Sequence, residues 1–412
     1  MFRKLLDRYF KDLPSEVAAL TGVSFSVALG FGIVAPVIPV FAKTFNVSAL
    51  EASAVISVFA LMRFASATPS GWLVNKFGER AVLWVGLSIV AVSSALAGFS
   101  QSFEQLLVLR GLGGTGSSMF TVSAMSLLLR SVGAELRGRA SSTYQSGFLF
   151  GSLAGPAVGG LVVAFSIRAP FFVYALTLTM AACVAYFALP KGLGRNDADS
   201  EANSAEPHMP LRAALKLREY WAALSYNLGT GVTTFGLRNA LLPLFVIEVL
   251  HKSAQTSSIG FLFTSVAQAA CLLIAGRTTD IRGRKPAMVI GISLLTIAMA
   301  MIFVSESLTS YLAYMSLVGA GMAFLSAGAS AVIGDVVAGR KGGPVVALYQ
   351  MTSDFGMIVG PLFAGFLLDY TGGYRAPFAM SLIITVIVAL VIATMPETKS
   401  RRYTHQELTS VS

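Results

Sequence analysis

Charged side chains are scarce in this chain. Asp, Glu, Lys and Arg make up 12% of the 412 residues, which is about half the share that a soluble domain carries. Apolar residues make up 55%, and stretches of about 20 residues, the length that crosses a hydrocarbon core, recur along the whole sequence. This composition excludes a soluble globular protein and indicates an α-helical membrane protein.

Cysteine and histidine are rare as well, which excludes two kinds of site. The two cysteines, Cys183 and Cys271, lie in apolar stretches, where we expect small apolar side chains rather than disulfide partners. The three histidines, His208, His251 and His405, fall in predicted loops or tails. A metal centre or catalytic cluster needs several such side chains close together. We therefore expect neither an enzyme nor a bound cofactor.

The apolar stretches predict twelve membrane spans and an all-α membrane protein. Glycine and proline within a span are tolerated because neighbouring helices satisfy the freed backbone groups. The spans are predicted at roughly residues 18–42, 49–74, 80–99, 103–129, 139–165, 169–189, 220–249, 256–276, 285–304, 308–335, 343–368 and 374–395.

Basic residues are unevenly distributed between the two sides of the predicted membrane. With the N-terminus inside, most of the 30 Lys and Arg fall in cytoplasmic segments, whereas the opposite side holds Lys43, Arg168, Lys252 and Arg375. This positive-inside asymmetry predicts a multi-pass membrane protein with both termini cytoplasmic. Anionic lipid headgroups then account for the net charge of +10, and no nucleic-acid partner is expected.

Several motifs occur twice, about 205 residues apart. YQSGFLFGSLAGP at 144–156 matches YQMTSDFGMIVGP at 349–361, and GWLVNKFGER at 71–80 matches GRTTDIRGRK at 276–285. Shorter matches join FGIVAPVIP at 31–39 to FGLRNALLP at 235–243, and RAPF at 168–171 to 375–378. Matches at one offset indicate a duplicated six-helix half.

The repeat and the polar stretches define the predicted organisation. An amphipathic N-terminal segment on the cytoplasmic surface is predicted at 1–17. The two six-helix halves are predicted at 18–190 and 219–396, joined by a polar cytoplasmic linker at 191–218 and followed by a cytoplasmic tail at 397–412.

Two parallel six-helix halves with these motifs resemble the major facilitator superfamily. We predict a glycine-rich loop after the second helix of each half. Its sequence resembles G-x-x-x-D-x-x-G-R-K, complete in the second half and altered in the first, where Asn75 replaces the usual Asp. LLVLRGLGG at 106–114 resembles the fourth-helix motif that contains Arg110. The glycine-rich fifth helix resembles the antiporter motif of the twelve-helix drug:proton antiporters. The cytoplasmic motif comprises Gly71, Asn75, Gly78, Glu79 and Arg80, and again Gly276, Asp280, Gly283, Arg284 and Lys285. The antiporter motif comprises Gly147, Gly151, Gly155, Pro156, Gly159 and Gly160.

The resemblance implies roles for these motifs. In family structures the acid of the cytoplasmic motif lies at the N-terminus of a helix in the opposite half, where the helix dipole favours a carboxylate. This implies a contact of Asp280 with the fifth helix and a weaker, uncharged one of Asn75 with the eleventh. The glycines of the fifth helix either allow close helix packing or, as in antiporters, also bend the helix and limit leak.

Charges exchange sign between the halves at the cytoplasmic ends. Glu79 and Arg130 correspond, at the repeat offset, to Arg284 and Asp335. Because opposite charges are kept while their signs change, we predict the ion pairs Glu79–Arg130 and Arg284–Asp335. The alternative is that all four are solvated charges of little energetic effect.

Ionisable residues inside the spans are the strongest pointers to function, because an ionised group at bilayer depth costs about 3 kcal/mol and needs a partner or a wet cavity. The resemblance implies that Arg110 takes part in proton coupling. Arg238 has no basic counterpart in the first half, where Val34 stands, so it is not a symmetric scaffold residue. The alternative for each arginine is a structural role bonded to carbonyl groups. The intramembrane charges are Arg63, Arg110, Arg238 and Asp354, and the predicted polar lining of a substrate cavity is Tyr144, Gln145, Tyr349, Gln350, Asn227 and Asn239.

Asp354 replaces Leu149 of the first copy, so the scaffold does not require an acid there. Asp354 and Arg63 lie at about the same depth, ~15 Å from the cytoplasmic ends of their helices at 1.5 Å per residue. The resemblance implies that these helices are neighbours across the two halves. We hypothesise that the two charges pair in one conformation and that Asp354 gains a proton when they separate. The alternative is a static ion pair.

Together with the resemblance, these observations predict a secondary active transporter of a bacterial inner membrane. It would export amphipathic small molecules or drugs in exchange for protons by alternating access. The sequence lacks G-x-x-x-x-G-K-[ST], which favours an ion gradient over ATP as the energy source. Its partners would be the small-molecule substrate, protons and the bilayer, and it would act as a monomer. One alternative is a transporter of an anionic metabolite, since cations outnumber acids in the spans; another is a membrane receptor with the same fold.

Overall fold

A computed structural model describes residues 13–133, 136–189, 209–337 and 343–398. Residues 1–12 of the predicted N-terminal segment 1–17, most of the predicted linker 191–218 and the predicted tail from residue 399 lie outside these residues. The first helices are α1 Ser15–Val34, α2 Ile38–Lys43, α3 Ala49–Ala65, α4 Ala67–Phe77, α5 Glu79–Gly98, α6 Phe103–Arg130, α7 Arg137–Val163 and α8 Ala169–Ala188. The later ones are α9 Leu211–Ala214, α10 Arg218–Thr230, a π-helical segment Gly231–Leu241, α11 Leu242–Glu248, α12 Ala254–Ile281, α13 Arg284–Val304, α14 Leu308–Val337, α15 Gly343–Thr371 and α16 Arg375–Thr394.

The described residues form an all-α membrane protein. Eleven helical stretches are long and apolar enough to cross a membrane, and the bent pair α3 and α4 makes a twelfth. Large apolar side chains such as Leu161, Phe187 and Leu273 are exposed on the helix surfaces, as lipid-facing residues are.

The bend between α3 and α4 has a proline as its cause. The two helices meet at 47°. Pro69 has no N–H to donate to the carbonyl of Ala65, and its ring crowds that carbonyl, so the helix bends one turn before it. Hydroxyl contacts hold the bend against α6, from Ser66 to Thr115 at 3.2 Å and from Ser70 to Ser118 at 3.4 Å.

The chain divides into two compact units, Met1–Phe45 with Val58–Ser204, and Asn46–Ser57 with Ala205–Ser412. In the first unit small residues set the closest helix contacts. A Cβ added at Gly86 of α5 would lie 2.8 Å from the Gly116 carbonyl oxygen of α6, and one added at Gly155 of α7 would lie 2.7 Å from the Gly32 Cα of α1. Backbones approach this closely only where side chains are absent.

The second unit repeats these contacts at the repeat offset. A Cβ at Gly291 of α13 would lie 2.8 Å from the Gly321 oxygen of α14, which mirrors Gly86 and Gly116. A Cβ added at Gly236 of the π-helical segment would lie 2.6 Å from the carbonyl carbon of Gly360 in α15. Each unit therefore packs its first and fifth spans, and its third and fourth spans, through equivalent glycines.

The start of α3 belongs to the second unit because α15 caps it. The Asp369 carboxylate accepts the backbone N–H groups of Ala49 at 2.9 Å and Leu50 at 2.7 Å. Gly365, one turn before Asp369, leaves room for this backbone. A Cβ added at Gly365 would lie 2.8 Å from both the Ala49 carbonyl oxygen and the Leu50 Cα. A carboxylate at a helix N-terminus satisfies orphan N–H groups and the helix dipole together.

The cytoplasmic motif is helical over most of its length, which corrects our expectation of a glycine-rich loop. Helix α4 continues to Phe77 and α12 to Ile281, past the predicted ends at 74 and 276. The breaks fall at Gly78, with φ of 83°, and Gly283, with φ of 114°. Side-chain residues rarely adopt this conformation, so these two glycines fix where the next helix begins.

The first span of each half is interrupted at the same repeat position. In the first unit the α-helix stops at Val34, and a turn precedes Pro39 in the first turn of α2. In the second unit the π-helical segment ends at Leu241, just before Pro243 in the first turn of α11. Pro243 cannot donate to the carbonyl of Asn239, four residues earlier, so regular α-helical bonding is lost there.

Candidate functional site

The predicted ion pair Glu79–Arg130 is present. Oε1 of Glu79 lies 3.0 Å from Nη1 of Arg130, and the Ser126 hydroxyl donates to the same carboxylate at 3.0 Å. Glu79 is only 3% exposed, and it lies in the first turn of α5, where the helix dipole favours an acid. A buried carboxylate needs these partners, so the pair is more than two solvated charges.

The predicted ion pair Arg284–Asp335 is also present and is bidentate. Nε of Arg284 lies 2.8 Å from one Asp335 oxygen, and Nη2 lies 3.1 Å from the other. The Thr398 hydroxyl donates to Asp335 at 2.7 Å. Both charge-exchanged pairs therefore form inside their own halves.

Glu397 is a polar residue of this region that the sequence did not single out. It accepts the backbone N–H of Arg284 at 2.9 Å and that of Lys285 at 3.0 Å, which caps α13. In the first half, the equivalent helix α5 begins with Glu79, which supplies the negative charge itself. Helix α13 begins with Arg284 instead, and Glu397 provides the missing carboxylate from beyond the last span. Glu397 and Thr398 directly follow the last span, and this position alone is a weak signal without the fold.

The last residue of each motif, Arg80 or Lys285, caps the last helix of its half. Arg80 donates to the Tyr186 carbonyl oxygen near the end of α8. Lys285 donates to the Ala393 carbonyl oxygen near the end of α16 at 2.7 Å. Cations at helix C-termini satisfy unpaired carbonyl groups and the dipole. These residues therefore join the third and sixth spans of each half.

The remaining polar residues of the motif are on the surface. Asn75 and Asp280 are exposed in α4 and α12. Gly71 and Gly276 lie inside these helices, and a Cβ at either would meet nothing within 4 Å. The expected contacts of Asn75 and Asp280 with the opposite halves stay predictions.

The glycines of the antiporter motif face α1. Would-be Cβ atoms at Gly147, Gly151, Gly155 and Gly159 each meet the α1 backbone, including 3.0 Å from Gly159 to the Ile33 oxygen. Pro156 is buried beside Gly32, and Gly160 is half-buried. These glycines therefore allow α7 to pack closely on α1, and a role in limiting leak stays a prediction.

Arg110 is enclosed within the first unit. It is 3% exposed, its guanidinium lies 4.5 Å from the centre of the Phe59 ring, and its Nε has no hydrogen-bond partner among the described residues. Gly111 and Gly114 on the same helix bring α6 against α3. A Cβ added at Gly114 would lie 3.2 Å from the backbone nitrogen of Arg63. Burying an arginine within a membrane span costs free energy, which favours a function over a purely structural role.

Arg63 and Asp354 are each half-buried, and neither is without a partner. Arg63 lies in the first unit and Asp354 in the second. The pairing of the two stays a prediction.

Two of the predicted lining residues have structural roles through their backbones. The Ser24 hydroxyl donates to the Tyr144 carbonyl oxygen at 2.9 Å, and the Asn227 side-chain amide donates to the Tyr349 carbonyl oxygen. These contacts tie the first to the fifth span of each half, so the amide of Asn227 is already used. Gln145 and Gln350 are exposed beside them.

Arg238 lies in the π-helical segment and points toward α12 and α14. Its Nε donates to Oδ1 of Asn239 at 3.2 Å, and Nη1 lies 3.5 Å from the sulfur of Met322. Its guanidinium lies 5.4 Å from the centre of the Phe261 ring. The phenol of Tyr314 is within electrostatic range. Arg238 and Asn239, both predicted as cavity residues, are therefore brought together, whereas Asn227 serves a helix contact.

Comparison with known proteins agrees with this architecture. The family model of the Major Facilitator Superfamily matches residues 20–267 and 228–410. An uncharacterized MFS-type transporter of Methanocaldococcus jannaschii is 23% identical over 383 residues, 92% of this chain and 97% of that protein. Multidrug efflux protein YfmO of Bacillus subtilis is 28% identical over 291 residues, 65% of this chain and 72% of that protein. A solved structure of a bacterial homolog of the human lysosomal transporter Spinster aligns with a TM-score of 0.73 at 16% identity, covering 92% of this chain and 96% of that one. The chain belongs to the major facilitator superfamily of transporters.

Proposed function

We propose that this chain is a proton-coupled exporter of amphipathic small molecules, working by alternating access in a bacterial inner membrane. It acts as a monomer with both termini in the cytoplasm. The family makes it a membrane transporter of small molecules; the direction, the coupling ion and the substrate class are the proposal.

The observation that carries the proposal is the position of Asp354. This acid lies in the middle of α15, half-buried in an apolar span, where the repeat has Leu149. A carboxylate at bilayer depth is costly and needs a functional reason or a partner. A group that is ionised beside a cation and neutral in an apolar cavity takes up a proton when the conformation changes.

The similarity to a multidrug efflux protein supports export of drug-like molecules. The glycine contacts of α7 with α1 support it as well, since the antiporter motif supplies them. Neither observation defines a substrate.

Everted membrane vesicles test the proposal. Vesicles that contain the chain, energised with a pH gradient, should accumulate at least one member of a panel of cationic, neutral and anionic amphipathic dyes. Accumulation should collapse when nigericin abolishes the pH gradient and should be absent from vesicles without the chain. Accumulation that persists without the pH gradient and follows ATP addition would contradict the proposal.

A second candidate function is transport of an anionic metabolite. The observation that favours it is the environment of Arg238, which has no carboxylate within ion-pair distance among the described residues. The anionic members of the dye panel separate the two functions.

A further inference from the structure

The polar groups around Arg238 are incompletely satisfied. A guanidinium has five N–H donors, and within the described residues Arg238 directs them only at the amide oxygen of its neighbour Asn239 and at a thioether sulfur. Thioether sulfur is a weak acceptor. The positive charge is therefore balanced by no acid in the described part of the chain.

A second unsatisfied group lies on α14, the helix whose Met322 contacts Arg238. The phenol oxygen of Tyr314 is completely buried and has no hydrogen-bond partner among the described residues. Three residues earlier on α14, the phenol of Tyr311 donates to the Ser257 carbonyl oxygen at 3.3 Å. Both phenols lie within electrostatic range of Arg238. Leaving a buried hydroxyl unpaired costs free energy, so an unpaired one beside a charged group calls for an explanation such as a bound ligand.

The backbone that carries Arg238 is irregular. It lies in the 11-residue π-helical segment, and π-helical segments concentrate at functional sites. Irregular backbone at membrane depth is tolerated where it is buried in protein or lines a cavity. The first half has an apolar valine, Val34, at the corresponding position, so the fold does not require the arginine.

Apolar groups surround the cation on its other sides. The Phe261 ring from α12 lies 5.4 Å from the guanidinium, and Met322 from α14 contacts Nη1. Aromatic and thioether groups accept varied apolar bodies. A charged donor in such surroundings fits a molecule with an apolar body and one anionic group.

We propose that Arg238 and Tyr314 form a subsite that binds the carboxylate of an amphipathic substrate, with the substrate body against Phe261 and Met322. The guanidinium binds the carboxylate through its free N–H groups, and the Tyr314 hydroxyl donates to one of its oxygens. The subsite rests on the proposed function only in that the bound molecule is transported.

A series of probes that share one body but differ in charge tests the subsite. 1-Naphthoate, 1-naphthamide and 1-naphthylmethylammonium are added to the purified full chain in detergent, and the melting temperature is followed over a concentration series. Naphthoate should raise the melting temperature at concentrations at least tenfold lower than naphthamide, and the ammonium compound should be weakest. Equal effects of naphthoate and naphthamide on the wild type would overturn the subsite.

Two variants separate binding from folding. Tyr314→Phe removes a hydroxyl that has no partner in the described protein, so it should leave the melting temperature of the unliganded chain unchanged or raised. It should nevertheless weaken the binding of naphthoate severalfold and leave the binding of naphthamide unaffected. Tyr311→Phe, the matched control on the same helix, loses a bond within the protein and should lower the melting temperature while keeping the preference for naphthoate. A Tyr314→Phe variant that binds naphthoate as the wild type does would overturn the role of the hydroxyl.

Arg238→Gln should abolish the preference for naphthoate over naphthamide, and Arg238→Lys should retain part of it. Retention of the full preference in Arg238→Gln would show that the anion binds elsewhere. Transport distinguishes this subsite from the proposed function. Naphthoate binding without proton-driven dye export would leave the subsite standing and sink the exporter, whereas dye export without a naphthoate preference would do the reverse.

Discussion

At the residue scale, the exchange of charge between Glu79 and Arg284 has a consequence at the helix ends. An acid in the first turn of a helix is stabilised by the helix dipole, whereas a guanidinium there is not. The second half compensates with Glu397, which accepts two backbone N–H groups of α13. In this protein, the half with the reversed charge pair has another residue that supplies the cap.

Glu397→Gln is expected to destabilise the cytoplasmic end of the second half. The amide cannot accept both N–H groups and brings no charge, so unfolding should become easier by about 1–2 kcal/mol. The melting temperature of the purified protein measures this. Glu306→Gln, an exposed acid in a loop, is the control and should change the stability by less than about 0.5 kcal/mol. Equal stability of the two variants would mean that Glu397 is not a cap.

Exchanging the two charges of the pair Arg284–Asp335 should restore function only in part. Arg284→Asp or Asp335→Arg alone leaves like or unpaired charges and should reduce transport strongly. Arg284→Asp with Asp335→Arg restores the pair but places a carboxylate beside Glu397. Adding Glu397→Gln should therefore improve initial export rates in everted vesicles beyond those of the double variant. A double variant as slow as both single variants would show that the pair itself has no role.

At the element scale, helix crossings made by glycine fix the packing of each half. Equivalent glycines serve both halves, so one substitution tests the principle. A Cβ at Gly155 would lie 2.7 Å from both the Gly32 Cα and the Leu29 oxygen. Both contacts are to backbone, which cannot move aside as a flexible side chain does.

Gly155→Ala should therefore separate α7 from α1, lower the melting temperature and reduce export. Gly22→Ala on α1 is the matched control, because a Cβ there meets nothing within 4 Å. The control should be neutral or slightly stabilising, by up to about 1 kcal/mol, since alanine favours a helix. If the two variants have the same melting temperature, the crossing does not depend on Gly155.

The Asp369 cap on α3 belongs to this scale too. Asp369→Asn leaves one acceptor and no charge for the N–H groups of Ala49 and Leu50, which should cost about 1 kcal/mol at that helix end. Hydrogen exchange should become about fivefold faster at residues 49–53. Exchange at the start of α13, which Glu397 caps, should stay unchanged. Unchanged exchange at 49–53 would contradict the cap.

At the scale of the whole molecule, the sequence predicts the spans, the duplication and both ion pairs because these depend on hydropathy and on spacing within the repeat. It misses Glu397, since that cap forms only when the end of the chain returns to α13. It also misses the π-helical segment, because hydrogen-bond register is not visible in composition. The cytoplasmic motif looks like a loop by its glycines and charges, yet only Gly78 and Gly283 break the helices.

The site is predictable to a smaller degree. Charges at bilayer depth identify Arg110, Arg238 and Asp354 as costly residues, and the cost is a general property of the membrane. Which polar groups remain unsatisfied, such as the Tyr314 hydroxyl, depends on packing between helices that are distant in sequence. Asn227 shows the converse, since its amide is used between α10 and α15.

Proton-driven export by Asp354→Asn tests the central claim most directly. Everted vesicles with equal amounts of wild type, Asp354→Asn and Asp354→Glu are given a pH gradient and a transported dye, and dye binding to the purified proteins is measured in parallel. We expect Asp354→Asn to bind the dye but to lose nearly all accumulation driven by the pH gradient, while Asp354→Glu keeps part of it. Full accumulation by Asp354→Asn would contradict the proposed coupling, and loss of dye binding together with a lower melting temperature would show that Asp354 only holds the fold.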